Sequence, residues 1–345
     1  MKKLTGTAVL SAAILIAQLF LPAGHACAQV LTYDLNAGLA GHFWEFSYVQ
    51  LSDIHIGYGT TDYASPGYDD ALAGASEGAP EANLRRAVEY INARRDEFKI
   101  RFVVLTGDIT HHAQRSEFLK AREILRGLSV PYVPVIGNHD VWPFSADGEA
   151  APAPIGGRYF REVFAEEFSK LAAFFPGWED ASGGVQNTAT GTIAGYYLQN
   201  YAFRYGGYSF VVPDLIGRDR KPVKGSPVSV DLYNAPGGTW GWLSRYYSSS
   251  AAPEKHLVVL SHYPLTDEKF QGERLFQAEY EMAAKLLASR GQAGLWNSGH
   301  LHRNREYQIS SGGRKVAPVV ETASNRAAMT LRIIRVWDIP APARS

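Results

Sequence analysis

The feature that most constrains this chain is an alternation of short apolar runs with amphipathic stretches between Phe46 and Ile136. Phe46 to Leu51 is apolar and ends in Ser52-Asp53, and Pro80 to Phe98 carries Leu84, Ala87, Val88 and Ile91 at helical spacing. Phe102 to Leu105 is apolar throughout, as in a strand buried on both faces. A second helical stretch, Glu117 to Leu128, and a third strand, Tyr132 to Ile136, complete a β-α-β-α-β order, which implies parallel pairing through right-handed crossovers. Further strands are expected over Phe210 to Val212, His256 to Leu260 and Ala293 to Trp296, with a helix over Glu273 to Ser289. Val316 to Val320 and Met329 to Val336 are expected as edge strands, and the tail from Pro340 as a frayed end.

The apolar runs lead into clusters of metal-binding side chains: Asp53-Ile54-His55, Gly107-Asp108, Gly137-Asn138-His139-Asp140, Ser261-His262 and Gly299-His300-Leu301-His302. The carboxyl ends of strands in an open α/β sheet line the ligand crevice, so clusters far apart in sequence can converge there. Asp53 and His55 are two residues apart, as are His300 and His302; on extended backbone each pair would project from one face. Gly107, Gly137 and Gly299 stand where a tight turn or close backbone approach is needed. Imidazole, carboxylate and amide oxygen together suit Zn, Mn or Fe rather than a soft thiolate-bound ion. Two such ions about 3.5–4 Å apart can clamp the attacking and leaving oxygens of a phosphoryl group, with one shared carboxylate between them. A single Gly-Asp or Asn-His-Asp is ordinarily a turn or a helix cap, and a lone histidine such as His42, His112 or His256 a surface or satisfied core residue. Five clusters at the ends of apolar runs are a different matter.

In their order and over nearly the whole mature chain, these five motifs resemble the signature of the calcineurin-like metallophosphoesterases. The resemblance implies an α/β fold, a four-layer α/β/β/α sandwich with mixed sheets, where the residue pattern alone gives a parallel sheet. It implies Asp53, His55, Asp108 and His302 around a first metal and Asp108, Asn138, His262 and His300 around a second, with Asp108 bridging. The ions would be di- or trivalent Mn, Fe or Zn. His139 would face the scissile phosphate beside Asn138, as donor to the leaving oxygen or stabiliser of the transition state, and a metal-bridging hydroxide would attack phosphorus in line.

The chain departs from the family pattern at one position. Members often carry an acid three residues after the bridging aspartate, where it can orient the histidine following the asparagine ligand; here that residue is His111. A carboxylate there would fix the tautomer of His139 and raise its basicity. Asp140 is an alternative partner, although the next residue of an extended segment points the other way.

From about residue 141 to 207 the alternation is interrupted by an insertion, expected as a cap over the metals. It holds a Pro-, Ala- and Gly-rich stretch, a helix carrying Phe160, Phe164, Phe168, Leu171 and Phe175, a polar stretch from Gly183 to Thr192, and an aromatic run. Those aromatics read first as the cap's own core. Tyr196 and Tyr197 are the candidates for stacking on a flat substrate group. Trp240 and Trp242 are expected to anchor a short helix.

The N-terminus places Lys2 and Lys3 before an apolar run of roughly fifteen residues and closes on Ala26-Cys27-Ala28, the build of a secretory signal peptide over residues 1–28. The run from Ala8 to Leu21 falls short of the roughly 20 apolar residues that span a bilayer. The mature domain is then 29–345, periplasmic or secreted; lipid anchoring at Cys27 is the lesser alternative. Cys27 is the only cysteine, so the mature chain would have no disulfide. Without Lys2 and Lys3 it carries 32 basic and 34 acidic residues, which leaves no basic footprint for nucleic acid or an anionic membrane. The expected partner is a small phosphoester; oligomeric state is not legible. A protein phosphatase, or a non-hydrolytic metal-binding protein on the same scaffold, is the alternative to a hydrolase of phosphate mono- or diesters.

Overall fold

The structure is a computed structural model that describes residues 28–37, 41–59, 78–145, 148–186, 195–218, 221–224, 228–248, 256–266, 277–289 and 293–338. The leader, Cys27 and the tail from Pro340 lie outside the described residues. The strands are β1 (Gln29–Leu35), β2 (Phe43–Leu51), β3 (Ile100–Thr106), β4 (Tyr132–Val135), β5 (Glu179–Asp180), β6 (Gly183–Gln186), β7 (Gly195–Leu198), β8 (Tyr201–Tyr205), β9 (Tyr208–Val212), β10 (His256–Leu260), β11 (Ala293–Ser298), β12 (Arg305–Ser311), β13 (Arg314–Glu321) and β14 (Thr330–Asp338). The helices are α1 (Ala79–Arg94), α2 (Arg115–Leu125), α3 (Asn138–Val141), α4 (Gly156–Val163), α5 (Ala165–Phe174), α6 (Thr239–Ser248) and α7 (Gln277–Ser289).

One sheet has the order β1-β14-β2-β3-β4 and the other β12-β13-β11-β10-β9-β8-β5. β2, β3 and β4 are parallel, as the alternation predicts, but β14 enters antiparallel to β2. In the second sheet β9, β10, β11 and β13 are parallel, while β8 and β12 are antiparallel to their neighbours. The purely parallel sheet expected from the residue pattern is therefore corrected to mixed sheets. Two glycine turns make part of the difference. Gly206-Gly207 joins β8 to β9 and Gly312-Gly313 joins β12 to β13, all four with positive φ, the backbone that returns a chain in a tight antiparallel hairpin.

The expectation that the last two strands are edges is also corrected. β13 lies between β11 and β12, and β14 between β1 and β2. Leu331, Ile333, Ile334 and Val336 of β14 are fully buried. β1, which pairs with β14 from Gln29 onward, was not anticipated and takes the edge.

The sheets face each other through aromatic rings. Tyr48 of β2 and Phe102 of β3 meet Phe210 of β9 edge-on, at 5.7 and 5.4 Å between centroids. Near the carboxyl ends this apolar layer gives way to a buried polar clamp. Gln50 Nε2 donates to Ser298 O at 2.8 Å, and Asn297 Nδ2 to Gln50 Oε1 at 2.9 Å. With their polar groups paired, these buried amides fix β2 against β11 and bring the strand ends of both sheets to one place.

The helix expected over Phe160 to Phe175 is two helices, α4 and α5, broken at Phe164. Phe164 meets Phe118 of α2 and Tyr132 of β4, and Phe168 meets Tyr201. Phe175 lies on Phe203 at 4.2 Å. These aromatics thus belong to the main core rather than to a core of their own. β8, at the end of the insertion, is a strand of the second sheet. Trp242 of α6 is buried and donates to Glu179 Oε1 at 2.9 Å.

Candidate metal centre

Each ligand motif begins within a few residues of a strand end: Asp53 after β2, Asp108 after β3, Asn138 after β4, His262 after β10 and His300 after β11. Asp53 N donates to Gly107 O at 3.1 Å and His55 N to Asp108 O at 2.9 Å, which carries the β2–β3 pairing beyond the strands. The residues are not extended there, as the two-residue spacing suggested. Asp53, His55, Asp108, His300 and His302 have φ of 50, 55, 51, 69 and 50°. Left-handed backbone costs a non-glycine residue about 1 kcal/mol or more, and such residues persist where surrounding contacts hold them, characteristically at functional sites. Close approach accounts for two glycines. A Cβ on Gly107 (φ 88°) would sit 2.4 Å from His262 Nδ1, and one on Gly299 1.7 Å from Ser52 Oγ.

Among the described residues, three groups have ligand atoms within 4.8 Å of one another: Asp53, His55 and His302; Asp108, His262 and His300; and a third that reuses His55 with His111 and His139. In the first, His302 Nε2 is 3.2 Å from Asp53 Oδ1 and 3.2 Å from His55 Nε2. In the second, His262 Nε2 is 3.3 Å from Asp108 Oδ1, 3.2 Å from His300 Nδ1 and 3.0 Å from Asn138 Oδ1. Asp108 stands between the groups, with Oδ2 3.8 Å from His55 Nε2 and Oδ1 turned to His262.

Tautomers show what this arrangement is for. His262 Nδ1 lies 2.8 Å from Thr106 O, which can only accept, so Nδ1 carries the proton. A neutral His262 then presents the lone pair of Nε2 to an amide oxygen, a carboxylate oxygen and another imidazole nitrogen. Converging acceptors of this kind are what a cation satisfies, and the oxygen and nitrogen donors fit Zn, Mn or Fe. His300 Nε2 is buried without a partner. Without an ion the protons rearrange to compensate. Burial works against a charged His262, but the Asp108 carboxylate outweighs it and holds the pKa up at about 9. Burial pushes His55 and His300 well below the ordinary imidazole value.

Residues 46–304 match the calcineurin-like phosphoesterase family. The chain belongs to that family. A stretch of 108 residues, 31% of the chain, is 33% identical to a probable cyclic nucleotide phosphodiesterase of Rhodopseudomonas palustris and spans 29% of that protein's length. Among solved structures the chain is similar to a phosphopantetheinyl hydrolase of Mycobacterium tuberculosis (12% identity, 87% of this chain and 98% of that one, TM-score 0.45). It is also similar to a purple acid phosphatase from yellow lupin (13% identity, 93% and 49%, TM-score 0.42).

In this calcineurin-like phosphoesterase, His139 follows the candidate ligand Asn138 in the short helix α3. His139 N donates to Asp108 Oδ1 at 2.8 Å, and its ring Nδ1 lies 2.7 Å from the carbonyl oxygen of His111. The tautomer that a carboxylate would fix is fixed by a backbone carbonyl. Asp140 does not substitute. Its carboxylate accepts the amides of Ile109, Thr110 and Gly137 at 3.2, 2.8 and 2.9 Å and the Thr110 hydroxyl at 2.9 Å, and it fastens the second motif to the third. Burial, together with the charge of Asp108, raises its pKa to about 7.

The ring of His111 stacks on His139 at 4.9 Å and 9°, and its Nδ1 is 3.0 Å from His55 Nδ1. Burial lowers its pKa to about 2, so it is neutral and can accept the Nδ1–H of His55. Sequence reasoning marked His111 as unusual but assigned its influence to His139. It missed Ser52, whose hydroxyl donates to Asp53 Oδ2 at 2.5 Å and whose signal was its place beside the first ligand.

Tyr197 is exposed, with the Arg161 guanidinium 5.8 Å from its ring centre. It lines a cavity of about 320 Å³ with Ile155, Arg158 and Arg218, among others, and none of the lining residues is a ligand candidate. The Tyr196 side chain lies outside the described residues. Phe144, near the start of the insertion, reaches the site, 5.0 Å from the His139 ring.

Proposed function

We propose that the protein is an exported, metal-dependent hydrolase of phosphate mono- or diesters. The position of the Asp108 carboxylate carries this reading: its two oxygens face two separate sets of acceptors whose lone pairs converge. Asp53, His55 and His302 would hold one ion and Asn138, His262 and His300 the other, with Asp108 contributing to both sets. Bound there, the ions would supply positive charge at the phosphoryl oxygens and an activated water.

The chain's own residues do the positioning. Ser52 Oγ and the amide of His300, which lies 3.0 Å from Asp53 Oδ2, orient the Asp53 carboxylate. Thr106 O sets the His262 tautomer. With Nδ1 given to His111 O, His139 has Nε2 left to meet the phosphoryl group or the departing oxygen.

Export is supported by Lys2, Lys3, the apolar run and the Ala26-Cys27-Ala28 closure, with the cleavage point falling just before β1 at Gln29. Among the described residues, no helix is long and apolar enough to cross a membrane.

The test is turnover of p-nitrophenyl phosphate and bis(p-nitrophenyl) phosphate by protein loaded with Mn, Fe or Zn. Hydrolysis that a chelator abolishes and metal restores is expected. No turnover of either ester by protein shown to hold two ions would overturn the reading.

A further inference from the structure

The loop Thr322 to Arg326, between β13 and β14, is fastened to the first ligand motif. Asn325 N donates to Ser52 O at 3.0 Å, Ser324 Oγ to Asp53 O at 2.7 Å, and Arg326 N to Ser324 Oγ at 3.1 Å. From the other side Asn83, buried in α1, gives its side-chain amide to the carbonyls of Asn325 and Arg326, at 2.9 Å each. The backbone of Arg326 is thereby fixed next to Asp53.

Its side chain is placed as firmly. The guanidinium carbon lies 4.2 Å from the centre of the Tyr58 ring. Tyr58 N donates to His55 O at 3.1 Å, and the Tyr58 ring stands edge-on to His111 at 4.9 Å. Tyr58 is 47% exposed, so the pair lies at the rim of the ligand cluster rather than within it. Among the described residues no carboxylate pairs with Arg326. A cation held at the edge of this cluster, with no acid among the described residues answering it, is placed to meet an incoming anion.

We propose that the counter-charge is the substrate: Arg326 binds a non-bridging phosphoryl oxygen and makes the site selective for phosphomonoesters over phosphodiesters. A monoester carries close to two negative charges at neutral pH and a diester one, so a fixed cation favours the monoester. A guanidinium suits the task because its planar fork matches two phosphoryl oxygens, and stacking on Tyr58 orients the fork before substrate arrives. The inference deepens the hydrolase reading and rests on it for the reaction, but not for the binding.

The experiment uses metal-loaded protein and the variants Arg326→Gln and Arg326→Lys, with metal content measured for each. Calorimetric binding of inorganic phosphate and kcat/KM on p-nitrophenyl phosphate and bis(p-nitrophenyl) phosphate are the readouts. For Arg326→Gln, phosphate affinity and monoester kcat/KM should each fall about tenfold, the diester should change less than about threefold, and Arg326→Lys should recover most of the loss. Unchanged phosphate affinity, or equal losses on the two esters with both ions retained, overturns the proposal. Phosphate binding needs no turnover, so it decides the role of Arg326 even if neither ester is hydrolysed, an outcome that would count against the hydrolase reading instead.

Discussion

Replacing His111 with phenylalanine isolates what its imidazole does. The Phe ring keeps the stack on His139 and the edge contact with Tyr58 but cannot accept a hydrogen bond. In the native protein His111 Nδ1 is 3.0 Å from His55 Nδ1, and His55 is buried. When Nε2 of His55 ligates an ion, its proton must sit on Nδ1, and His111 is the acceptor there. A buried donor left unmade costs about 1–3 kcal/mol, and each 1.4 kcal/mol is tenfold in affinity. That range brackets the 10–100-fold typical of losing a ligand's outer hydrogen-bond partner. The His111→Phe protein should therefore bind the ion held by Asp53, His55 and His302 about 10–100-fold more weakly, measured by competition with a chromogenic chelator. Its thermal midpoint without metal should barely move. Two metal affinities within about twofold of wild type would refute the reasoning. His111→Asp extends the test: because the backbone carbonyl of residue 111 serves His139, an alkyl ester and a nitrophenyl ester should respond alike, and a selective gain on the alkyl ester would mean that the side chain acts on His139 after all.

Asp108→Ala should lose both ions, since each carboxylate oxygen faces one ligand set, and elemental analysis that still finds two would contradict the bridge. His139→Ala should retain both ions and lose about 10²–10⁴ in kcat, so metal loss in that variant would show it to be a ligand. Mature protein recovered from its native cells should start at Gln29 by intact mass, and a soluble cytoplasmic form starting at Met1 would end the export proposal.

What the sequence made legible follows from what is local. β10 was placed to the residue, and β2, β3 and β4 to within a few, because each is an apolar run bounded by polar motifs. The five motifs named the residues that converge because strand ends in such a fold share one rim. Pairing partners were less legible. Nothing in Met329 to Val336 says that its neighbours are Gln29–Leu35 and Phe43–Leu51, nearly the whole chain away, so a central strand was taken for an edge. Side-chain partners across motifs were hidden in the same way. Arg326 lies 24 residues beyond His302, the last of the candidate ligands, and its place beside Asp53 is created by Asn83, Ser324 and Asn325.

The histidine found where related chains often have an acid changes how His139 is held more than whether it is held. A carboxylate supplies direction and a full charge together, whereas the His111 carbonyl at 2.7 Å from Nδ1 supplies direction and only the weaker pull of a neutral acceptor. Burial presses the pKa of His139 down, and the opposing pull comes first from the charge of Asp108 and then from the hydrogen bond to the His111 carbonyl. With Nδ1–H committed to a carbonyl, a neutral His139 offers the ester a lone pair at Nε2 and becomes a donor there only on taking up a second proton. The arrangement therefore suits substrates whose leaving oxygen departs with little help, or whose own proton can be received at Nε2, and on the proposed reading the phosphoryl charge would be answered by bound metal and Arg326 more than by His139.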